Sequence, residues 1–401
     1  MPNSPENHRT GHPREANRID VLDGWRTFSV SLVIVSHVLI WSSLSIGGYQ
    51  SVEARQIFTP LIEGLGYVGV EIFFVISGFV ICRGLLRELE TFHRISLSAF
   101  YVRRSFRILP PLLLYVTVIF LLSKLHLIDS DARSIFEALT FTCNIPLGSC
   151  GGWWGAHTWS LSVEEQFYLV IPLVISLLST YRVVALTSIL VLFAVLLLML
   201  ELLGQSDIGH FVSNFLAIGV GVVCALHERR VRDFAGSWPN WVFYGSLVGL
   251  IILARLHNTR YWTIATVALA PLIAYLLFAS MSNSSLATKV LNMGPVRAVG
   301  KASYGLYLWQ QLATAAFPDA GIVFYTISIC GCILFVLVLF SWMERPIIRL
   351  GAKISRALQT SALSAIPTSN FHPLLPQAGN CRGSDAKSDA RLTATSSAND
   401  L

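Results

Sequence analysis

The chain has 401 residues, of which 54% are hydrophobic and 13% are charged, and its formal net charge is +6. A soluble domain carries about 25% charged residues, so this composition excludes an ordinary soluble globular protein. We predict an all-α fold, a polytopic transmembrane helical bundle. We also predict no nucleic-acid partner, because the surplus of positive charge lies between apolar runs on one side of the predicted membrane.

Ten apolar runs approach or reach the length of about 20 residues that crosses a bilayer core as a helix. A polar N-terminal segment at 1–20 precedes them, and it lacks the pattern of a cleaved signal peptide. The transmembrane domain is predicted at 21–350, and a polar, disordered cytoplasmic tail at 351–401. The predicted spans are 27–46, 61–86, 108–128, 159–180, 183–203, 210–226, 239–256, 262–281, 304–320 and 322–342.

The distribution of Lys and Arg predicts how the chain is oriented. With the N-terminus in the cytoplasm, the inner segments hold 20 basic residues and the outer segments hold five. Cytoplasmic loops carry the excess of Lys and Arg in membrane proteins. An even number of spans then places both termini inside, N-in and C-in, in a bacterial inner membrane.

The first span contains one titratable side chain near its middle, His37. Arg26 lies eleven residues earlier, which is three helical turns, so the two side chains share one face of the helix. Ionisable residues inside a span usually face the bundle interior or a water-filled cavity. His37 is therefore a candidate general base or a hydrogen-bonded packing residue, and Arg26 a ligand for an anion or a snorkelling anchor.

Further charged residues follow in the second span and in the inner loop after it. Glu71 is buried in the run GVEIFFVISGF and either binds substrate or satisfies a neighbouring helix. The loop 87–107 is predicted to be an interfacial helix or elbow. Its basic cluster, Arg103, Arg104 and Arg107, either clamps phosphates or is an ordinary solvated basic loop.

The longest outer loop, 129–158, contains two cysteines, Cys143 and Cys150. An oxidising compartment would favour a disulfide that closes this short loop. Two free thiols in a packed loop are the alternative, and the sequence leaves both open.

The fourth span begins with HTWSLSVEEQFYL and carries two adjacent carboxylates near its outer end. Glu164 and Tyr168 are four residues apart and share a helical face, which favours Glu164 as inward and Glu165 as outward or partly so. Glu164 is a candidate catalytic residue, since a carboxylate can orient an imidazole or bind sugar hydroxyls. The candidate contacts for an acceptor are His157, Trp159, Glu165 and Tyr168. We predict no metal site.

Five segments in order resemble the acyltransferase-3 family of membrane O-acyltransferases. The first three are RIDVLDGWRTFSVSLVIVSH, with the family's spacing of Arg26 and His37, then GVEIFFVISGFVI and FYVRRSFRILP. The other two are HTWSLSVEEQFYLVIP and SYGLYLWQQ, the latter followed by SWMERP. The resemblance extends over about residues 18–350.

The resemblance implies transfer of an acyl group, often acetyl, from cytoplasmic acyl-CoA to a hydroxyl of a glycan, glycolipid or glycoside. It implies that His37 is the base or acyl relay and that Arg26 supports the coenzyme A side. The cluster of Arg103, Arg104 and Arg107 would engage coenzyme A, and Glu164 would lie on the acceptor side. Acyl-CoA is then a co-substrate, with no permanently bound cofactor.

One residue departs from the family pattern. Members often have His where this chain has Gln310, and an amide cannot act as a base near neutral pH. His37 is then the only His well inside a predicted span, with His157 and His210 near the outer edge as further candidates. The acceptor, the acyl chain length, the oligomeric state and the choice between direct transfer and a covalent acyl-enzyme stay open.

Two interpretations from other classes compete with the enzyme. In a transporter or flippase, the buried His, Glu and Arg residues would form a path for protons or ligand, although the inverted halves common in transporters are not visible in the sequence. A membrane scaffold without turnover is the third.

Overall fold

A computed structural model gives the structure of the chain, and the part that it describes is helical, without strands. The described residues are 19–41, 52–145, 150, 152–177, 181–204, 206–257, 259, 261–283, 285–315 and 321–364.

The first half of the chain contains eight described α-helices. They are α1 Asp20–Trp41, α2 Val52–Phe92, α3 Leu97–Lys124, α4 Ala132–Thr140, α5 Trp153–Ala156, α6 Thr158–Leu177, α7 Arg182–Leu202 and α8 Ser206–Leu226.

The second half continues the bundle with eight further α-helices. They are α9 Glu228–Gly236, α10 Asn240–His257, α11 Trp262–Ser282, α12 Leu286–Leu291, α13 Gly294–Lys301, α14 Ser303–Ala313, α15 Ile322–Leu339 and α16 Arg345–Ser364. A five-residue π-helix, Phe340–Glu344, joins α15 to α16.

Each predicted span overlaps one of these helices, and seven of the described helical segments are long and apolar enough to cross a bilayer. The all-α membrane bundle is thus confirmed. The total of ten spans and the N-in, C-in orientation stay predictions. In the region of the predicted span 304–320, the described helix α14 has only 11 residues, fewer than the 17 or so needed to span the core.

The long helix α2 is the centre of the bundle, because it packs against α1, α6, α8, α10 and α11. Its 41 residues make it about 60 Å long, roughly twice the thickness of a bilayer core. Close packing with α8 depends on two small residues: a Cβ on Gly78 would overlap the main-chain oxygen of Ile218, and a Cβ on Gly221 would overlap that of Val75. Small residues at such crossings let two membrane helices approach closely.

The predicted interfacial segment 87–107 is divided between two helices. It comprises the end of α2, a short connection and the first three turns of α3. Ser96 caps α3, and its side chain accepts from the Ala99 amide at 3.4 Å. Arg103, Arg104 and Arg107 therefore lie on a continuous helix and point in directions set by the helical period.

In the connection between α3 and α6, Cys143 and Cys150 form a disulfide. Cys143 also lies against Thr158, the first residue of α6, with 3.0 Å between Sγ and the hydroxyl. The disulfide confirms one of the two alternatives that the sequence left open, and it ties this connection to the start of α6.

The expectation of a disordered tail from residue 351 is wrong for residues 351–364, which belong to α16. This helix is amphipathic, and its small residue Gly351 packs on Phe106 of α3. Packing of one apolar face stabilises a helix even where its composition is polar. Residues 365–401 and 1–18 lie outside the described part.

Candidate functional site

A cavity of about 90 Å³ lies between α1, α2, α3, α6 and α14. This volume accommodates several water molecules or the acyl end of a thioester, but not a whole coenzyme A. Its lining mixes aromatic and aliphatic side chains with three arginines, one carboxylate and several hydroxyls. The residues are Arg26, Val70, Phe73, Phe74, Ser77, Arg104, Arg107, Ile108, Ser160, Leu161, Glu164, Tyr168, Ser303, Tyr304 and Tyr307.

Glu164 supplies the carboxylate of the cavity, as the face argument predicted. Its oxygens accept from the hydroxyl of Ser77 at 2.7 Å and from that of Tyr168 at 3.2 Å. The two hydroxyls are themselves 2.7 Å apart. This triangle joins α2 to α6 and holds the carboxylate at a defined place in the wall.

The cations of the cavity come from two helices. Arg26 on α1 pairs with Asp23, one turn earlier, at 3.3 Å. On α3, Arg104 lies over the ring of Tyr168 at 5.1 Å, a cation–π contact, while Arg107 lines the cavity three residues further. Glu164 therefore shares one cavity with these three arginines, and its predicted place on the acceptor side stays a prediction.

Arg103 does not join the other two arginines of its cluster. Its guanidinium pairs with Glu88 at 3.0 Å and donates to Ser355 at 2.6 Å, so it fastens α3 to α2 and α16. Neighbouring positions on a helix differ by about 100° in direction, which separates Arg103 from Arg104. Of the three arginines predicted to form a cluster, Arg103 therefore joins helices, while Arg104 and Arg107 line the cavity.

His37 lies beyond the cavity, along the same helix as Arg26. Eleven residues separate them, which corresponds to about 16 Å along α1. His37 is half-buried, and its Nδ1 is 2.9 Å from Oε1 of Gln310. The ring of Trp153 packs edge-on against the imidazole, with 5.0 Å between centroids.

The short helix α14 connects the two places. Ser303, Tyr304 and Tyr307 line the cavity, and Gln310, one turn after Tyr307, contacts His37. His37 is not itself among the residues that line the cavity. The layer around Tyr307 thus lies between the cavity and the imidazole.

His157 is buried between helices, and its predicted place near the outer edge of the membrane stays a prediction. Its ring packs between Tyr115 at 5.4 Å and Tyr307 at 5.6 Å. Tyr307 also donates to the main-chain oxygen of His157 at 2.9 Å. His157 lies at the junction between α5 and α6, and its burial there was not predicted from the sequence.

Three other predicted residues stay outside the cavity lining. Trp159 packs edge-on against Phe74, with 6.0 Å between ring centroids. Glu165 is half-buried, with one carboxylate oxygen buried, so the partly outward placement is the one of the two predicted alternatives that describes it. Glu71 is fully buried in α2 beside Tyr67, away from the cavity.

His210 belongs to α8, but its side chain lies outside the described part. Within that part, no cluster of three or more His, Cys, Asp or Glu side chains could hold a metal ion.

Sequence reasoning missed Tyr307 and gave Gln310 only as a departure from the family pattern. Both belong to the run SYGLYLWQQ, where the spacing of Ser303, Tyr307 and Gln310 along one helical face was the available signal.

Comparison with known proteins adds the family. The model of the acyltransferase-3 family, described as an acyltransferase domain, matches residues 19–343. O-acetyltransferase OatA of Staphylococcus aureus strain NCTC 8325 is 26% identical over 334 residues, covering 72% of this chain and 49% of that protein. The Bacillus subtilis protein named "Putative peptidoglycan O-acetyltransferase YrhL" is 27% identical over 395 residues, covering 85% of this chain and 56% of its own length. The chain thus spans about half the length of these relatives, and no solved structure matches it.

Proposed function

The chain belongs to the acyltransferase-3 family and is an acyltransferase, and from this premise we propose that it transfers an acetyl group from cytoplasmic acyl-CoA to a hydroxyl of a glycan. In this proposal it is a multi-pass enzyme of the bacterial inner membrane.

The arrangement along α1 carries the proposal. Arg26 lines a cavity with Arg104 and Arg107, and His37 lies on the same face of α1, three turns further. A donor with anionic phosphates and a long arm fits this arrangement: the phosphates bind at the arginines and the thioester reaches toward the imidazole.

The chemistry assigned to His37 is general base catalysis. Its free ring nitrogen takes the proton of the acceptor hydroxyl while that oxygen bonds to the thioester carbonyl carbon. The carbon–sulfur bond breaks, and the departing sulfur of coenzyme A receives the proton from the imidazolium. An ester and a free thiol result, and His37 returns to its neutral form.

The size of the cavity supports a donor that is only partly enclosed. About 90 Å³ leaves room for an acetyl group and part of its arm, so the nucleotide end would lie outside the cavity, near α3. The layer at Tyr307 must then shift for the thioester to reach His37, a motion of the kind that often controls access in enzymes.

Peptidoglycan is the first acceptor to test, because the name of the Bacillus subtilis relative contains it. Membranes of cells that express the full chain are incubated with acetyl-labelled acetyl-CoA, and the label in the glycan fraction is measured. We expect His37→Ala to reduce the rate of transfer by about 10²- to 10⁴-fold, the usual contribution of a general base.

His227→Ala is the matched control, since that imidazole lies at the junction of α8 and α9 and makes no capping hydrogen bond with its side chain. Equal labelling by the wild type and His37→Ala would remove His37 as the base. If no label reaches the glycan from any acyl-CoA, even with the wild-type chain, the proposed donor is refuted.

The transporter interpretation has no comparable support. Family membership favours an enzyme, and the same assay separates the two, because a transporter would leave the acetyl group on its carrier.

A further inference from the structure

We infer that a chain of hydrogen bonds from Trp153 through Gln311 and Gln310 determines the tautomer of His37, placing the proton on Nδ1 and leaving Nε2 as the free base. The inference rests on the proposed function for its catalytic meaning, but the tautomer itself is a property of the resting protein. Gln310 and Gln311 are thereby positioning residues.

The series of hydrogen bonds begins at a main-chain carbonyl, which can act in only one way. The main-chain oxygen of Trp153 can only accept a hydrogen bond, and Nε2 of Gln311 lies 2.7 Å from it. The amide of Gln311 must therefore point its NH₂ toward Trp153, since the opposite orientation would bring two acceptors together. In turn, Nε1 of Trp153 donates to the main-chain oxygen of Gln311 at 2.9 Å, which holds the two residues in place.

The orientation of Gln311 determines that of Gln310. With its NH₂ engaged by Trp153, Gln311 presents Oε1 to its neighbour, and Nε2 of Gln310 lies 2.9 Å from that oxygen. Gln310 must donate there. Its own Oε1 is therefore the atom that faces His37.

The last hydrogen bond reaches the imidazole. Nδ1 of His37 is 2.9 Å from Oε1 of Gln310, and a carbonyl oxygen requires a donor. The hydroxyl of Thr314 lies 3.2 Å from the same oxygen but 2.8 Å from the main-chain oxygen of Gln310, so its single proton goes to the nearer acceptor and leaves the side-chain oxygen to His37. Nδ1 therefore carries the proton, and the lone pair of the neutral ring is on Nε2.

Burial of the two glutamines makes their hydrogen bonds hard to replace. Gln310 and Gln311 are each 1% exposed, so water cannot replace a lost partner cheaply. The ordering groups are also neutral, unlike the carboxylate that orients the histidine in many acyl-transfer sites. They fix the tautomer without drawing a second proton onto the ring, which keeps His37 able to accept one.

The test measures the tautomer directly. The full chain, labelled with ¹⁵N-histidine and reconstituted in lipid nanodiscs, is examined by NMR without any substrate, and the signal of His37 is assigned by its absence from the spectrum of His37→Ala. We expect a protonated Nδ1 and an unprotonated Nε2. The reverse pattern in the wild type would overturn the inference.

Two variants test transmission. Gln311→Met removes a residue whose described hydrogen bonds go to Trp153 and Gln310, and it should mix the two tautomers of His37. The rate of transfer should fall by about 2-fold or more, since only rings with an unprotonated Nε2 can act as the base, with the KM for the donor unchanged. Gln310→Met removes the acceptor opposite Nδ1 and should mix the tautomers as well.

Gln166→Met is the matched control. Gln166 makes a similar set of hydrogen bonds, to Asn144 and the main chain of Phe141, away from His37, so its loss should leave the His37 signals unchanged. An unaltered tautomer of His37 in Gln311→Met would refute the inferred role of these hydrogen bonds. Because the spectra need no turnover, failure of the proposed function would appear separately, as unchanged transfer in His37→Ala.

Discussion

The site has two ends that differ in charge. The arginine end is the cavity with its ionic side chains, Arg26, Arg104, Arg107 and Glu164. The amide end is neutral and consists of His37, Gln310, Gln311 and Trp153. Each end includes one residue of α1, Arg26 or His37. In the proposed function, the fixed charge would attract an anionic donor at one end, and the ordered dipoles at the other would hold a neutral imidazole that acts as the base.

The largest effect expected at the arginine end comes from Glu164→Gln. The variant loses the charge that accepts from Ser77 and Tyr168 and that offsets three nearby cations. Hydrogen bonds to a charged group contribute about 1.5–3 kcal/mol, so the rate of transfer should fall by about 10- to 100-fold.

Glu165→Gln is the matched control for that variant, since Glu165 is next in sequence but does not line the cavity. We expect it to retain more activity than Glu164→Gln in the same acetyl-transfer assay. The opposite order would mean that the active face of α6 is not the one that lines the cavity.

The next effect separates two neighbouring arginines. Arg107→Gln should raise the KM for acyl-CoA by about 10-fold, because one charge-assisted contact to a phosphate is lost, and should weaken the dependence of KM on salt. Arg103→Gln should instead lower the melting temperature and leave KM unchanged, since Arg103 fastens α3 to Glu88 and Ser355. Equal changes in KM would restore the three-arginine cluster.

Removal of the disulfide near the amide end should have a moderate effect on stability. Replacing Cys143 and Cys150 by Ser opens a disulfide with a sequence separation of 7. Loss of a disulfide that closes such a short loop lowers the free energy of unfolding by about 2 kcal/mol in the chain-entropy account. The melting temperature should therefore fall by several degrees. The KM for acyl-CoA should not change, and a large rise in KM would mean that the two ends are not independent.

The smallest effect is expected at the layer between the ends. Tyr307→Phe keeps the ring but removes the hydroxyl that donates to the His157 carbonyl and contacts Ser160 at 2.7 Å. We expect a loss of about 1 kcal/mol in the free energy of unfolding and little change in KM, measured by denaturation and kinetics. A sharp loss of turnover in a stable Tyr307→Phe would show that the hydroxyl itself takes part at the boundary.

Several parts of this site follow from local sequence. The relation between Arg26 and His37 depends only on the period of one helix, and α1 spans both residues. The inward direction of Glu164 follows from the same kind of argument, and the disulfide was one of two stated alternatives. In each case the decisive residues are close together in the chain.

Other parts depend on residues that are far apart. Gln310 is 273 positions from His37, and no periodicity connects them. Arg103 differs from Arg104 because Glu88 and Ser355, on two other helices, lie where only its guanidinium reaches. Burial of His157 at the junction between α5 and α6 was not specified by the run of Trp and Gly residues.

The amino-acid sequence by itself determined that this is a helical membrane protein of a recognisable acyltransferase type, because apolar runs must match a bilayer and motif residues keep their spacing within one helix. Only the tertiary structure decided which arginines share a cavity with Glu164 and which amides face His37. Those contacts arise where separate helices cross, and the geometry of a crossing depends on side-chain packing between elements, which the pattern of a single helix does not contain.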